Sequence, residues 1–143
     1  MNVKQLSVFI ENKEGRLKNA VNAVSQAEVN IRALSIADSS KYGILRLIVS
    51  DNEKATAALK KEKFTVKETD VIVVGIKDEP NGLNTMLEIL EEESINVEYL
   101  YAFVSSKTDE AIVVVKIEDC EGGLKALKDA GANILSKEDL DEL

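Results

Sequence analysis

A shift of 66 residues lays the second half of the sequence over the first. Leu6–Asn12 then aligns with Ile72–Asp78, Leu17 with Leu83, Val21 with Leu87, Val24 with Leu90, and Leu34 with Leu100. Val29, Asn30 and Ile31 fall on Ile95, Asn96 and Val97. Further along the shift becomes 68, pairing Asp51 with Asp119 and Ala58-Leu59-Lys60 with Ala126-Leu127-Lys128. The two-residue change lies in a turn region, where insertions are tolerated. A period of this size means one supersecondary unit used twice, so the fold must close within half of the 143 residues.

Within each copy the apolar period switches between two and about 3.6. Leu6, Val8 and Ile10 alternate with Ser7, Phe9 and Glu11, as in a strand with one buried face. Leu17, Ala20, Val21, Val24 and Ala27 fall three and four apart, a helical stripe. Strands follow over Ile31–Ala37 and Ile44–Val49, with a turn over Asp38–Gly43. A helix over Asp51–Lys61, capped by Asp51, leads to a short strand over Phe64–Val66. The second copy predicts strand Val71–Ile76, helix Leu83–Glu93, strands Val97–Val104 and Ala111–Ile117, a helix from Glu121 to Ala130, and strand Asn133–Leu135. Lys67–Asp70 reads as a tight link, and Lys137–Leu143 as a charged tail, a frayed helix turn. The expected class is α+β: two ferredoxin-like βαββαβ units, residues 1–69 and 70–143, each an antiparallel sheet with both helices on one face.

Composition narrows the chemistry. There is no histidine, which removes Ser-His-Asp and Cys-His nucleophilic schemes and nearly all zinc sites. The single cysteine, Cys120, cannot form an internal disulfide. The net charge of −8, with no basic block, disfavours nucleic acid and anionic membrane surfaces. No apolar run approaches the ~18 residues of a membrane span, and nothing resembles a signal peptide, so a cytoplasmic location is expected. Composition leaves carboxylate or lysine catalysis open, but no acid/base partner recurs with the acidic residues of the two repeated loops, and no catalytic residue, metal or cofactor is expected.

The residues that could carry a function lie where the first strand of each unit hands over to its first helix. Asn12-Lys13-Glu14-Gly15-Arg16-Leu17 and Asp78-Glu79-Pro80-Asn81-Gly82-Leu83 each begin with a short side chain able to cap a helix, and each contains glycine. Free N–H groups in a helix's first turn, with the helix dipole, favour a carboxylate. Asn12 or Asp78 could then hold an amine. The same pattern is also ordinary helix punctuation. Asn30 and Asn96, each opening the second strand just before Ile31 or Val97, form a second repeated polar position.

A strand, an Asp-x-Pro-Gly-x-Leu-like turn, a helix and a Val-Asn-Ile-like strand start, in units of this length, resemble the ACT domain, and the resemblance covers nearly the whole chain as two tandem units. The first loop matches at Asn12, Gly15 and Leu17, with Glu14 where proline is common. The second matches at Asp78, Pro80 and Leu83, with Asn81 where glycine is expected and Gly82 one place late; asparagine tolerates left-handed backbone. ACT domains are regulatory modules that bind amino acids and pair sheets edge to edge. The resemblance implies a non-catalytic sensor, a homodimer, holding a free amino acid at the interface between its units. Its ligand-binding residues would be Asn12, Lys13, Glu14, Gly15, Arg16, Leu17, Asn30 and Ile31, with Asp78, Pro80, Asn81, Gly82, Leu83, Asn96 and Val97 in the second copy.

Tyr99, Tyr101 and Phe103 alternate on the face away from Leu100, which places them on the helix-free side of the sheet; Ala33, Ser35 and Ala37 are their small counterparts. Stacking on RNA bases fits this pattern but not the acidic charge. The alternative reading is therefore a protein-interaction module acting through that face, or local cover by the tail. Glu91, Glu92 and Glu93 read as a solvated helix end. Cys120, beside a helix start that could lower its pKa, has Asn52 as counterpart and reads as structural.

Overall fold

The computed structural model describes residues 3–38 and 41–143, so Ser39 and Ser40 of the expected Asp38–Gly43 turn lie outside the described residues. The chain divides into two compact units, Lys4–Thr69 and Asp70–Leu143, the second also including Val3.

The N-terminal unit is built from β1 (Val3–Glu11), α1 (Arg16–Gln26), β2 (Ile31–Asp38), β3 (Tyr42–Val49), α2 (Asn52–Lys61) and the start of β4 (Thr65–Lys77). Its strand order is β2-β3-β1-β4, with β1 and β2 antiparallel to β3. Leu6, Val8 and Ile10 point to one side with Leu45, Leu47 and Val49, and meet Ala20 and Val24 of α1 and Ala55 and Leu59 of α2 in one core. The C-terminal unit repeats this with β4, α3 (Gly82–Glu92), β5 (Val97–Val104), β6 (Glu110–Ile117), α4 (Cys120–Asp129), β7 (Asn133–Leu135) and an added α5 (Lys137–Asp141). Here β7 and β6 flank β4, and β5 pairs β6, all antiparallel. Ile72, Val74, Val113, Val115 and Ile117 pack with Met86, Leu90 and Leu127. Burying each such side chain contributes about 1.5–3 kcal/mol.

The backbone carries the repeat more sharply than the side chains do. The register of β2 on β3 shifts between Ile31 and Ala33, and that of β5 on β6 shifts at the matching Val97 and Tyr99. Left-handed residues recur too: Glu28 (φ 59°) matches Ser94 (φ 56°), and Lys63 (φ 66°) matches Gly131 (φ 79°). Each ends one of the helices α1 to α4 in a Schellman motif, in which two backbone N–H groups turn back onto helical carbonyls. Thus Glu28 N–H donates to Ser25 O and Val29 N–H to Val24 O, with the same pairs at Lys63/Phe64, Ser94/Ile95 and Gly131/Ala132. Each motif also joins two apolar residues: Val29 to Val24, Phe64 to Leu59, Ile95 to Leu90, Ala132 to Leu127. Three of the four left-handed sites hold a residue with a Cβ, which is strained there. Glu28→Gly, Lys63→Gly and Ser94→Gly are each expected to stabilise the protein by about 0.5–1 kcal/mol, seen as a rise in the urea midpoint at unchanged slope. A fall in midpoint at all three would contradict the strain argument.

Two expectations need correction. Lys67–Asp70 is not a link between strands: it lies inside β4, a single 13-residue strand. The segment contains neither glycine nor proline, and Thr69 Oγ1 lies 3.4 Å from Ser7 Oγ on β1, so nothing breaks the ladder. The tail is not frayed. Ser136 and Asp139 form a reciprocal capping box on α5, and Leu140 is buried. The hydrogen bonds from Ser136, backbone then side chain, hold the Asp139 carboxyl below its usual pKa. On the helix-free face of the C-terminal unit Val73, Ile112 and Val114 are fully buried and Tyr99, Tyr101 and Phe103 half-buried. Asp139, Glu142 and Leu143 line a common hollow with Ile112 and Leu135, so the tail helix contributes to that cover. Cys120, read as structural, opens α4, and its thiol pKa is raised, first by burial and then by Asp70.

Candidate functional site

The five helices differ in how they begin. Asp51 accepts a hydrogen bond from Lys54 N–H at the start of α2, Asp119 accepts from Gly122 N–H at the start of α4, and Ser136 caps α5. Neither α1 nor α3 has a side-chain cap. Asn12 and Asp78, expected as caps, do not cap: the N-cap positions are Gly15 and Asn81, three residues on in each loop. Among the described residues, no acceptor faces the N–H of Leu17 or Lys18 in α1, or of Leu83 or Asn84 in α3. All four residues are exposed. Two dipole-positive helix starts, at the same place in each unit, are therefore open to an anion.

The loops reach this state by different routes. In the first, Gly15 takes φ 85°, as a glycine in a left-handed turn can. In the second, Asn81 is not left-handed as the sequence suggested: it sits at φ −98°, ψ 0°. Its side chain turns away from the helix amides, donating to Thr85 Oγ1 and accepting from Asn84 Nδ2. The tight approach moves to Gly82, where an added Cβ would lie 2.1 Å from Lys77 O. Pro80 is exposed in this loop, and Glu79 N–H donates to Lys77 O. In the first loop the cations are already engaged: Lys13 pairs with Glu11 at 3.2 Å, and Arg16 stacks on Phe64. Glu14 is exposed.

Within one unit the first loop and the start of the second strand stand apart; the expected site draws them from adjoining units. Asn12 N–H donates to Lys41 O, at the β2–β3 hairpin end of the sheet, where Glu11 pairs Tyr42. Asn30 lies at the other end: its N–H donates to Ser50 Oγ, its carbonyl accepts from Ser50 N–H, and the next residue, Ile31, pairs Val49. From Tyr42 to Val49 the strand runs roughly 23 Å at ~3.3 Å per residue. The C-terminal unit repeats this separation. Lys77, beside Asp78, pairs Glu110, while Val97, beside Asn96, pairs Ile117. Ser50, which clamps Asn30 from both sides, was not singled out by the sequence, because a serine after a strand is routine.

Among the described residues no helix is long and apolar enough to cross a membrane, and no cluster of three or more Cys, Asp or Glu side chains could hold a metal ion. The family model described as an ACT domain pair matches residues 1–143. None of the curated proteins matches significantly. The crystal structure of protein BT0572 from Bacteroides thetaiotaomicron is similar at 37% identity and a TM-score of 0.93, covering 100% of this chain and 98% of that one. The ligand-free regulatory subunit of aspartate kinase from Thermus thermophilus is similar at 15% identity and a TM-score of 0.60, covering 89% and 91%. The regulatory subunit from Thermus flavus is similar at 18% and 0.61, covering 90% and 92%. At these last two identities the likeness is one of fold.

Proposed function

The chain belongs to the ACT domain pair family, a regulatory domain type, and from that premise we propose that it is a non-catalytic sensor of a free amino acid in the cytoplasm. The observation that carries the reading is the contrast in helix starts: α2, α4 and α5 are capped by side chains, and α1 and α3 are not. The ligand carboxylate meets the N–H groups of Leu83 and Asn84, or those of Leu17 and Lys18. Its ammonium group meets Asp78 or Asn12. The carboxylate supplies charge at the helix's positive end, worth about 0.3–1 kcal/mol from the dipole alone; hydrogen bonds to a charged acceptor add about 1.5–3 kcal/mol each.

Calorimetry against the twenty amino acids tests the reading, and heat from none of them up to millimolar concentration overturns it. Leu83→Asp separates a ligand role from a structural one. Leu83 is 38% exposed, and a carboxylate in the first turn suits the dipole, so stability should change by less than about 1 kcal/mol. Binding should weaken at least tenfold, because the site now carries its own anion. Unchanged affinity in a folded Leu83→Asp protein rejects the carboxylate pose.

The same premise supports a homodimer. β2 is the edge strand of the N-terminal unit, and Leu34 and Ile36 on it are 51% and 47% exposed. An edge with free backbone groups and apolar side chains is a pairing surface. Leu34→Lys with Ile36→Lys is expected to convert the dimer to a monomer in analytical ultracentrifugation. A mass unchanged by the double substitution rejects this edge.

A further inference from the structure

The two units differ in the space between the start of their first helix and the turn before their last strand. In the C-terminal unit this space is a cavity of about 290 Å³, floored by Val74 and Ile76 of β4 and by Met86 and Ile89 of α3. Gly82 and Ala132 stand at its sides. In the N-terminal unit the positions of Gly82 and Ala132 are held by Arg16 and Phe64. Those two side chains narrow the equivalent space: the Arg16 guanidinium carbon lies 4.4 Å from the centre of the Phe64 ring. What remains there is a hollow of about 230 Å³, lined by Arg16 and Phe64 themselves with Asn19, Asn22 and Glu62. Arg16 Nε is buried without a hydrogen-bond partner, so the aromatic face holds the guanidinium in place. One copy is narrowed by a guanidinium and a ring and the other, with glycine and alanine at those positions, is wider and has an aliphatic floor.

We propose that the wider cavity is a side-chain pocket for a branched aliphatic amino acid (valine, leucine or isoleucine), and that the chain binds one such ligand, in its C-terminal unit. The proposal rests on the amino-acid reading above and gives that ligand its side chain. Glu79 and Gly82 of the loop line the cavity, so it opens beside the free amides of α3. Its volume lies at the small end of ligand sites, which begin near 300 Å³, and so suits an amino acid better than a nucleotide or a peptide. Its floor is aliphatic and thioether. The one hydroxyl on its wall, Thr85 Oγ1, already donates to Asn81 O. The charged lining residues, Lys77 and Glu79, are both exposed; away from them a polar ligand side chain would lose water without gaining a partner, whereas each buried methylene favours binding.

Titration of the full chain with glycine, alanine, serine, valine and leucine tests this, read by calorimetry and by the ¹³C-methyl signals of methionine. The chain has two methionines, Met1 and Met86, so the cavity reporter is identified by elimination. The expected result is one leucine per chain, affinity rising roughly fourfold per buried methylene, and a Met86 methyl shift that saturates with the heat. Ala132→Phe, which imports the ring, should weaken leucine at least tenfold and leave glycine unchanged. Glycine or serine binding as tightly as leucine, two leucines per chain, or leucine binding with Met86 unmoved would each overturn the pocket and leave the sensor reading intact. Absence of binding by every amino acid would overturn both. Because the Met86 signal is read in the unmodified protein, the outcome does not depend on Ala132→Phe folding.

Discussion

Replacing Gly82 with alanine is expected to lower the unfolding free energy by about 2–3 kcal/mol, the cost of forcing extra volume into a site that cannot yield. The new Cβ would sit 2.1 Å from the carbonyl oxygen of Lys77. That oxygen belongs to the end of β4 and already accepts from Glu79 N–H, so relief requires moving a strand end, not a side-chain tip. Gly15→Ala is the informative comparison. An added Cβ there meets nothing within 4 Å, and only the left-handed φ of 85° opposes it, so the loss should be about 1 kcal/mol. Urea denaturation of both variants measures the difference. Equal losses would mean that strain, not the contact with Lys77, makes glycine necessary in the second loop.

This contrast also marks what could be read from the sequence. The order of elements was legible because apolar residues recur at periods of two and 3.6, and because Asp51 and Asp119 announce two helix starts by residue type. The duplication was legible from aligned leucines and valines. The continuity of β4 was not, because Lys67, Glu68, Thr69 and Asp70 are the polar residues that connections also use, and only pairing beside β1 makes them strand. The site was half legible. The two loops were found from their glycines, but which glycine does what was not. The first loop needs its glycine for a left-handed turn, and the second needs it for a close approach to Lys77 O. Asn12 and Asp78 were misassigned as caps because the loop spends three residues turning before the helix begins. Arg16 stands among the expected ligand-binding residues, and its stacking on Phe64, far along the sequence, could not be inferred from either residue alone.

Phe64→Ala is expected to cost about 3–5 kcal/mol, the most of any substitution proposed. Phe64 is 4% exposed and belongs to the core of the N-terminal unit. It also occupies the position after a left-handed residue where the Schellman motif joins it to Leu59, so its truncation removes transfer energy and that local contact together. Where the loss falls in the range depends on whether the site collapses. The C-terminal unit suggests that it does not: with Ala132 at the same position, that unit keeps a cavity of about 290 Å³. A space held open by β4 and α3 in one copy has the same supports, β1 and α1, in the other. The loss should therefore lie toward the upper end. Arg16→Ala alone should cost about 1 kcal/mol, since what it forfeits is chiefly one cation–ring contact. The double variant should fall short of the sum by 0.5 kcal/mol or more, as touching residues do. Strict additivity would mean that Arg16 and Phe64 fill their space independently, and a loss below about 1 kcal/mol for Phe64→Ala would mean that the ring is not what narrows it.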